Sequence, residues 1–293
     1  MVQKNDDSVL ITGATGYIGS IATDFLKRGA CVQEVHAYGS VEMDVTNRNT
    51  VQQQLDAVKP DCVLHLAARA DTDWCEEHYD EAWRVNVDGS LNLVEEALDR
   101  SIPVVYFSSA CLYPRNDKYY SETNDLDAFC RYTQTKLEAE QALDPHKDRI
   151  LNIRMRQPFS NHRHPRNLLH KLASYSQFID EPNSMSHLEE CLPVVWKLLQ
   201  AGKTGTWNIT NEGWTTPLKI ARLIKKYWQP DMSVSEMSYE ALLEKVEAVR
   251  VNSLVDCSKL KAEGFELAPV EDAIIDCLQN SCNLGEYDWR GFT

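Results

Sequence analysis

VLITGATGYIGS, residues Val9 to Ser20, reads as a buried strand that runs into a glycine-rich turn and then a helix. Val9, Leu10 and Ile11 make the apolar strand. Gly13, Gly16 and Gly19 follow at three-residue spacing, and Ile21, Ala22, Phe25 and Leu26 continue with helical periodicity. In that arrangement Gly13 permits the tight turn, Gly16 lets backbone approach a pyrophosphate, and Gly19 packs helix on strand. Free N–H groups at the helix start, around Tyr17 and Ile18, attract the anion. The order strand, turn, helix separates a dinucleotide-binding turn from a glycine turn that binds nothing.

Outward from this stretch, strand-like and helix-like segments alternate, which predicts an α/β fold: a doubly wound parallel sheet of Rossmann type. Cys31 to His36 is the expected second strand, and Thr46 or Asn47 caps a helix reaching Val58. Asp61 to Ala68 and Pro103 to Ser108 are further strands, separated by a long helix from about Tyr79 to Leu98. A helix from Phe129 to Leu143 follows. Strand signals then return at Asn152 to Arg156 and Thr206 to Ile209, and Thr216-Pro217 caps a helix reaching Trp228. The expected division is a dinucleotide-binding domain over 1–155 and a smaller substrate-binding lobe over 156–293, interleaved with strands that return to the sheet.

Composition narrows the function. The 293 residues suffice for a full-sized core, and the net charge of −14, from 30 basic and 44 acidic residues, argues against a nucleic-acid surface. No apolar run approaches the roughly 18 residues of a membrane helix, and MVQKNDDS is too polar for a signal peptide, so a cytoplasmic protein is expected. Nine scattered cysteines without a CxxC pair point to reduced thiols. His162 and His164 lack a carboxylate or cysteine to complete a ligand set, so no metal is expected and both are read as loop residues.

The chemistry sits at the end of the Pro103 to Ser108 strand. Ser109 follows it, and Tyr132 and Lys136, four residues apart, share one helix face. An ammonium beside a phenol lowers the phenol's pKa and makes Tyr132 a proton donor near neutral pH, while Ser109 binds the same carbonyl oxygen. With GATGYIG, HLAA, the Asn86 segment RVNVDGSLNL, FSSACLY and YTQTK in order, the chain resembles the extended short-chain dehydrogenases/reductases. That resemblance implies a bound nicotinamide dinucleotide and a Ser109, Tyr132, Lys136 catalytic set. It places Asp44 and Val45 against the adenine, Ala67, Ala68 and Arg69 beneath the cofactor, and Asn86 in support of the site.

A narrower likeness comes from DTDWCEEH (Asp71 to His78), RMRQPFSNHRHPRNLLHKL (Arg154 to Leu172), EPNSMSHLEECLP (Glu181 to Pro193) and GTWNITNEG (Gly205 to Gly213). These resemble the bifunctional 3,5-epimerase/4-reductases that make nucleotide-linked L-rhamnose from a UDP- or dTDP-4-keto-6-deoxyglucose. The resemblance implies that Cys111 is the base that removes a proton beside the C4 carbonyl and Lys171 the acid on the opposite ring face, with His170 as a substitute. Arg156 and Asn167 are candidate contacts to the nucleotide sugar. The tip of the second strand, Tyr38 to Ser40, carries neither an acid nor a base, which leaves room for a 2′-phosphate; NADPH is expected, with NADH usable. A monofunctional 4-keto reductase or 4-epimerase, and a non-catalytic NADP-binding subunit like the methionine adenosyltransferase β subunit, are the rival readings. The oligomeric state, a homodimer included, stays open.

Overall fold

The computed structural model describes residues 8–30, 32–115 and 118–289. Cys31, expected to open the second strand, lies outside the described residues, as do the first seven. Six strands form one parallel sheet: β1 (Ser8–Thr12), β2 (Glu34–Tyr38), β3 (Cys62–His65), β4 (Val104–Phe107), β5 (Ile150–Arg154) and β6 (Gly205–Asn208). Their spatial order is β2-β1-β3-β4-β5-β6. The chain therefore reverses direction across the sheet between β1 and β3, which is where a doubly wound sheet opens its ligand crevice.

Strands β3, β4 and β5 are buried along their whole length because helices cover both faces. Alternate residues feed two cores. Val9, Ile11, Leu64, Val105 and Ile153 face α1 (Tyr17–Arg28) and a later helix, Leu188–Gln200. Leu10, Val63, Val104 and Ile150 face α2 (Arg48–Val58), α3 (Gly89–Asp99) and α4 (Arg131–Leu143). Each fully buried aliphatic side chain stabilises the layer by about 1.5–3 kcal/mol. Asn47 supplies the expected cap of α2, accepting from Asn49 and Thr50.

The long helix expected from Tyr79 to Leu98 is present but interrupted: Tyr79–Trp83 passes through a π-turn, Arg84–Asp88, into α3. In the second half, α5 (Leu168–Ala173), α6 (Leu188–Gln200), α7 (Pro217–Tyr227) and α8 (Val270–Gln279) follow. Residues of α5, α7 and α8 gather with Phe159, Phe178 and Met185 in a third core, so this half has an apolar interior of its own. Strand β6 nonetheless returns to the main sheet and pairs with β5 in register Gly205 to Leu151. No helix among the described residues is long and apolar enough to cross a membrane.

Candidate active site

The glycine-rich turn lies at the mouth of the crevice. Gly13 has φ +68°, and a Cβ there would lie 2.6 Å from the Ala67 nitrogen, so the turn after β1 packs directly on the chain leaving β3. A Cβ on Gly19 would lie 2.2 Å from the Gly13 carbonyl oxygen, so α1 packs directly on the turn that follows β1. Gly16 precedes α1 in an extended conformation, and no side chain caps the helix. The first-turn N–H groups thus fit an anion such as a pyrophosphate. Ile18 packs against the core beside β1. The Tyr17 side chain is turned away from the crevice: its hydroxyl donates to Ser160 Oγ at 2.8 Å and its ring stacks on His164. Only its backbone remains for a cofactor.

Beyond β2, Asp44 accepts from the N–H and hydroxyl of Thr46, and Val45 packs against the Cα of Gly89. The tip of β2 is not free of acid. Glu42 folds back so that its Oε2 accepts from the Gly39 N–H at 2.9 Å, close to Thr15 of the glycine-rich turn. Sequence reasoning missed this residue because it lies outside the Tyr38 to Ser40 window. A carboxylate here suits ribose hydroxyls.

On the other side of the crevice, Ala67 donates from its N–H to Thr12 Oγ1, and Ala68 leads into Arg69. Asn86, in the π-turn and fully buried, accepts from Arg69 N at 2.7 Å and donates to the Arg69 carbonyl and to Thr135 Oγ1. One amide therefore fixes the floor of the crevice to α4, the helix that carries Tyr132 and Lys136. His65 bridges Thr12 and Ser90; burial, with the Lys136 charge nearby, holds its pKa down at about 3, so it stays neutral.

At the tip of β4, Ser109 accepts from the Cys111 N–H at 3.1 Å and lies close to the Tyr132 phenol. Ser109, Cys111 and Tyr132 therefore converge on one point. The expected lowering of the Tyr132 pKa is not what this geometry produces. Burial and the proximity of Cys111 raise it, opposed by the Ser109 hydrogen bond. Lys136 Nζ donates instead to the Tyr106 hydroxyl at 2.8 Å and the Phe107 carbonyl at 2.9 Å. Burial brings its pKa down to about 8, against the pull of Glu140 one turn further along α4. Glu140 is held by Arg154 and Ser108.

Two candidate substrate contacts have other partners. Asn167 is fully buried and caps α5: its Oδ1 accepts from Leu169 N, and its Nδ2 donates to the Ser160 and His162 carbonyls. It is a structural cap with no donor left over for a sugar. Arg156 is also buried and donates to Asn183, Val251 and Cys111. Lys171 is exposed on α5, and its ammonium has no partner among the described residues. His162 does lie in the loop before α5, but it is not a free loop residue. It is buried, 2.7 Å from Glu189 and 3.8 Å from Asp24.

A doubly wound sheet with a glycine-rich first turn, and a serine, tyrosine and lysine gathered at the strand ends, defines an extended short-chain dehydrogenase/reductase. Residues 7–282 match the RmlD substrate binding domain, and the chain belongs to that family. It is 29% identical over 285 residues to a trifunctional UDP-glucose 4,6-dehydratase/UDP-4-keto-6-deoxy-D-glucose 3,5-epimerase/UDP-4-keto-L-rhamnose-reductase of Arabidopsis thaliana, covering 93% of this chain and 42% of that one. The chain thus spans about two-fifths of that relative. It is also 28% identical over 278 residues to the plant's bifunctional dTDP-4-dehydrorhamnose 3,5-epimerase/dTDP-4-dehydrorhamnose reductase, covering 91% of this chain and 90% of that one. The crystal structure of the L780 UDP-rhamnose synthase from Acanthamoeba polyphaga mimivirus shares the fold with a TM-score of 0.85 at 24% identity, covering 93% and 98% of the two chains. So does a dTDP-4-dehydrorhamnose reductase from Bacillus anthracis in complex with NADP, with a TM-score of 0.81 at 19% identity, covering 94% and 97%.

Proposed function

We propose that the chain both epimerises C3 and C5 and reduces C4 of a UDP- or dTDP-linked 4-keto-6-deoxyglucose, giving a nucleotide-linked L-rhamnose. The observation that carries this reading is the convergence of Ser109, Cys111 and Tyr132 at the tip of β4. Abstraction of a proton beside the ketone places negative charge on the C4 oxygen, the atom that Ser109 and Tyr132 must also bind for reduction. One site therefore serves both reactions. Cys111 takes the proton from C5 or C3, and Lys171 on α5 returns one from the opposite ring face.

Bound NADPH supplies the hydride for C4, with NADH usable in its place. Tyr132 donates the proton to the C4 oxygen, Ser109 orients that oxygen, and Lys136 holds the nicotinamide ribose. The glycine-rich turn, Asp44, Val45, Ala67, Ala68 and Arg69 line the cofactor side, within residues 1–155. Residues 156–293 form most of the sugar side.

The test is incubation of the protein with NADPH and each 4-keto-6-deoxyglucose nucleotide in deuterated water, followed by identification of the sugar. Deuterium at C3 and C5 in an L-rhamnosyl product is expected. Reduction without deuterium at either carbon makes the protein a plain 4-keto reductase.

A further inference from the structure

Arg156 leaves the tip of β5 with its side chain only 2% exposed. A guanidinium remains protonated in proteins, and a buried charge is costly unless an opposite charge meets it. Arg154, two residues earlier, follows that rule, because the Glu140 carboxylate holds it in a two-point pair. Arg156 does not follow it with a carboxylate. Its Nε donates to the neutral Asn183 Oδ1 at 2.8 Å and its Nη2 to the Val251 carbonyl. Among the described residues no aspartate or glutamate lies within ion-pair distance of it. The ionisable group it does meet is Cys111, whose Sγ is 2.6 Å from Nη1.

We propose that the buried Arg156 guanidinium pairs with the partly buried Cys111 as a thiolate, and that Arg156 is the positioning residue that holds Cys111 deprotonated and aimed as the base of the epimerisation. This rests on the reading of Cys111 as that base. A thiol works as a base only once it is ionised, and a fixed neighbouring cation is the usual means of ionising one. The aim is set from two sides. Asn183 and Val251 clamp the guanidinium, and the N–H of Cys111 donates to Ser109 Oγ, tying the thiol to the residue that orients the ketone.

The backbone supports the same placement. The Arg156 N–H donates to Ser186 Oγ at 3.0 Å, and the next residue, Gln157, sits at φ 41°, in a region that non-glycine residues seldom occupy. Arg156 and, from α4, Tyr132 are titratable groups close to Cys111. A negative charge on Cys111 keeps the Tyr132 phenol protonated, so the base and the proton donor sit side by side in the two states that their tasks need.

The test labels the full-length protein with iodoacetamide and follows the Cys111 peptide by mass spectrometry, with N-acetylcysteine as the reference thiol. In the unsubstituted protein the Cys111 rate should stay nearly flat between pH 6.5 and 8 while the reference rises about tenfold per pH unit. Arg156→Met should label at least about tenfold more slowly at pH 6.5 and recover by about pH 9.5, and Arg156→Lys should stay within about threefold of the unsubstituted protein. A Cys111 rate that climbs with the reference overturns the proposal whether or not the methionine variant folds. So does Arg156→Met labelling at the unsubstituted rate at pH 6.5, or a deficit that persists at pH 9.5. Labelling needs no sugar, so failure of the epimerase reading shows separately, as unsubstituted protein that labels as expected yet incorporates no deuterium.

Discussion

In the proposed reaction Tyr132 donates the proton, and its raised pKa makes it a phenol that keeps its proton across the working pH range. Tyr132→Phe should therefore lower turnover by about 10²- to 10⁴-fold while leaving the cofactor dissociation constant within about twofold, since only the donated proton is lost. Titration of cofactor fluorescence beside single-turnover reduction measures both; unchanged turnover would remove Tyr132 from the role. Glu42 bears on which cofactor enters. Its exposed carboxylate sits beyond β2 on the Gly39 N–H, and with the cofactor ribose beside it, it would repel a 2′-phosphate and hardly affect a 2′-hydroxyl. Exposed charges interact weakly, so Glu42→Gln should tighten NADPH by about two- to fivefold and leave NADH unchanged. Isothermal titration with each nucleotide decides this, and equal shifts for both would place Glu42 away from the 2′ position.

At the scale of elements, the helix that enters α3 matters most where it departs from α-helical winding. The π-turn Arg84–Asp88 directs Asn86 inward, where it joins the chain after β3 to Thr135 of α4. Π-turns are often found at functional sites for this reason. Asn86→Ala removes three hydrogen bonds, one of them to the buried Thr135, and should cost about 2–4 kcal/mol, or roughly 3–7 °C in Tm for a chain of this size. A shift under about 2 °C in a thermal melt would show that the crevice floor holds without it. The run of sheet strands and the helix caps at Asn47 and Thr216 were legible in sequence, because each depends on near neighbours or on a fixed spacing. The π-turn was not, since one extra residue in a helical turn leaves the apolar periodicity almost unchanged. Arg156 and Asn167 were read as substrate contacts because sequence shows a polar side chain at the right place but not which buried partner claims it.

For the whole molecule, the misread residue is His162. Sequence offers it no nearby partner, but folding brings Asp24 from α1 and Glu189 from α6 to it, while Trp289 donates to Asp24 at 2.8 Å. His187 completes the group, 3.0 Å from Glu189, beside Glu190 and Cys277. The cluster joins the dinucleotide-binding half to the second half and to the last described residues. Burial alone would lower the His162 pKa, but the nearby Asp24 carboxylate and the hydrogen bond to Glu189 raise it to about 9. Burial likewise works against ionised Glu189, yet the His187 charge and the His162 hydrogen bond hold its pKa at about 2. Both shifts stabilise the fold, with opposite dependence on pH. His162 binds its proton more tightly in the folded chain than in the unfolded chain, where its pKa is about 6.5, so its contribution is complete below pH 6.5 and is lost as pH rises through about 9. Glu189 contributes fully above its unfolded pKa and loses that contribution as pH falls toward about 2. The melting temperature should therefore fall between pH 6.5 and 9, and His162→Gln, which cannot charge, should flatten that fall while lowering Tm at pH 6 by more than at pH 9. Differential scanning fluorimetry of both proteins across that range is the measurement. Parallel curves for the two would mean that the pairing of His162 with Asp24 and Glu189 contributes nothing to holding the halves together.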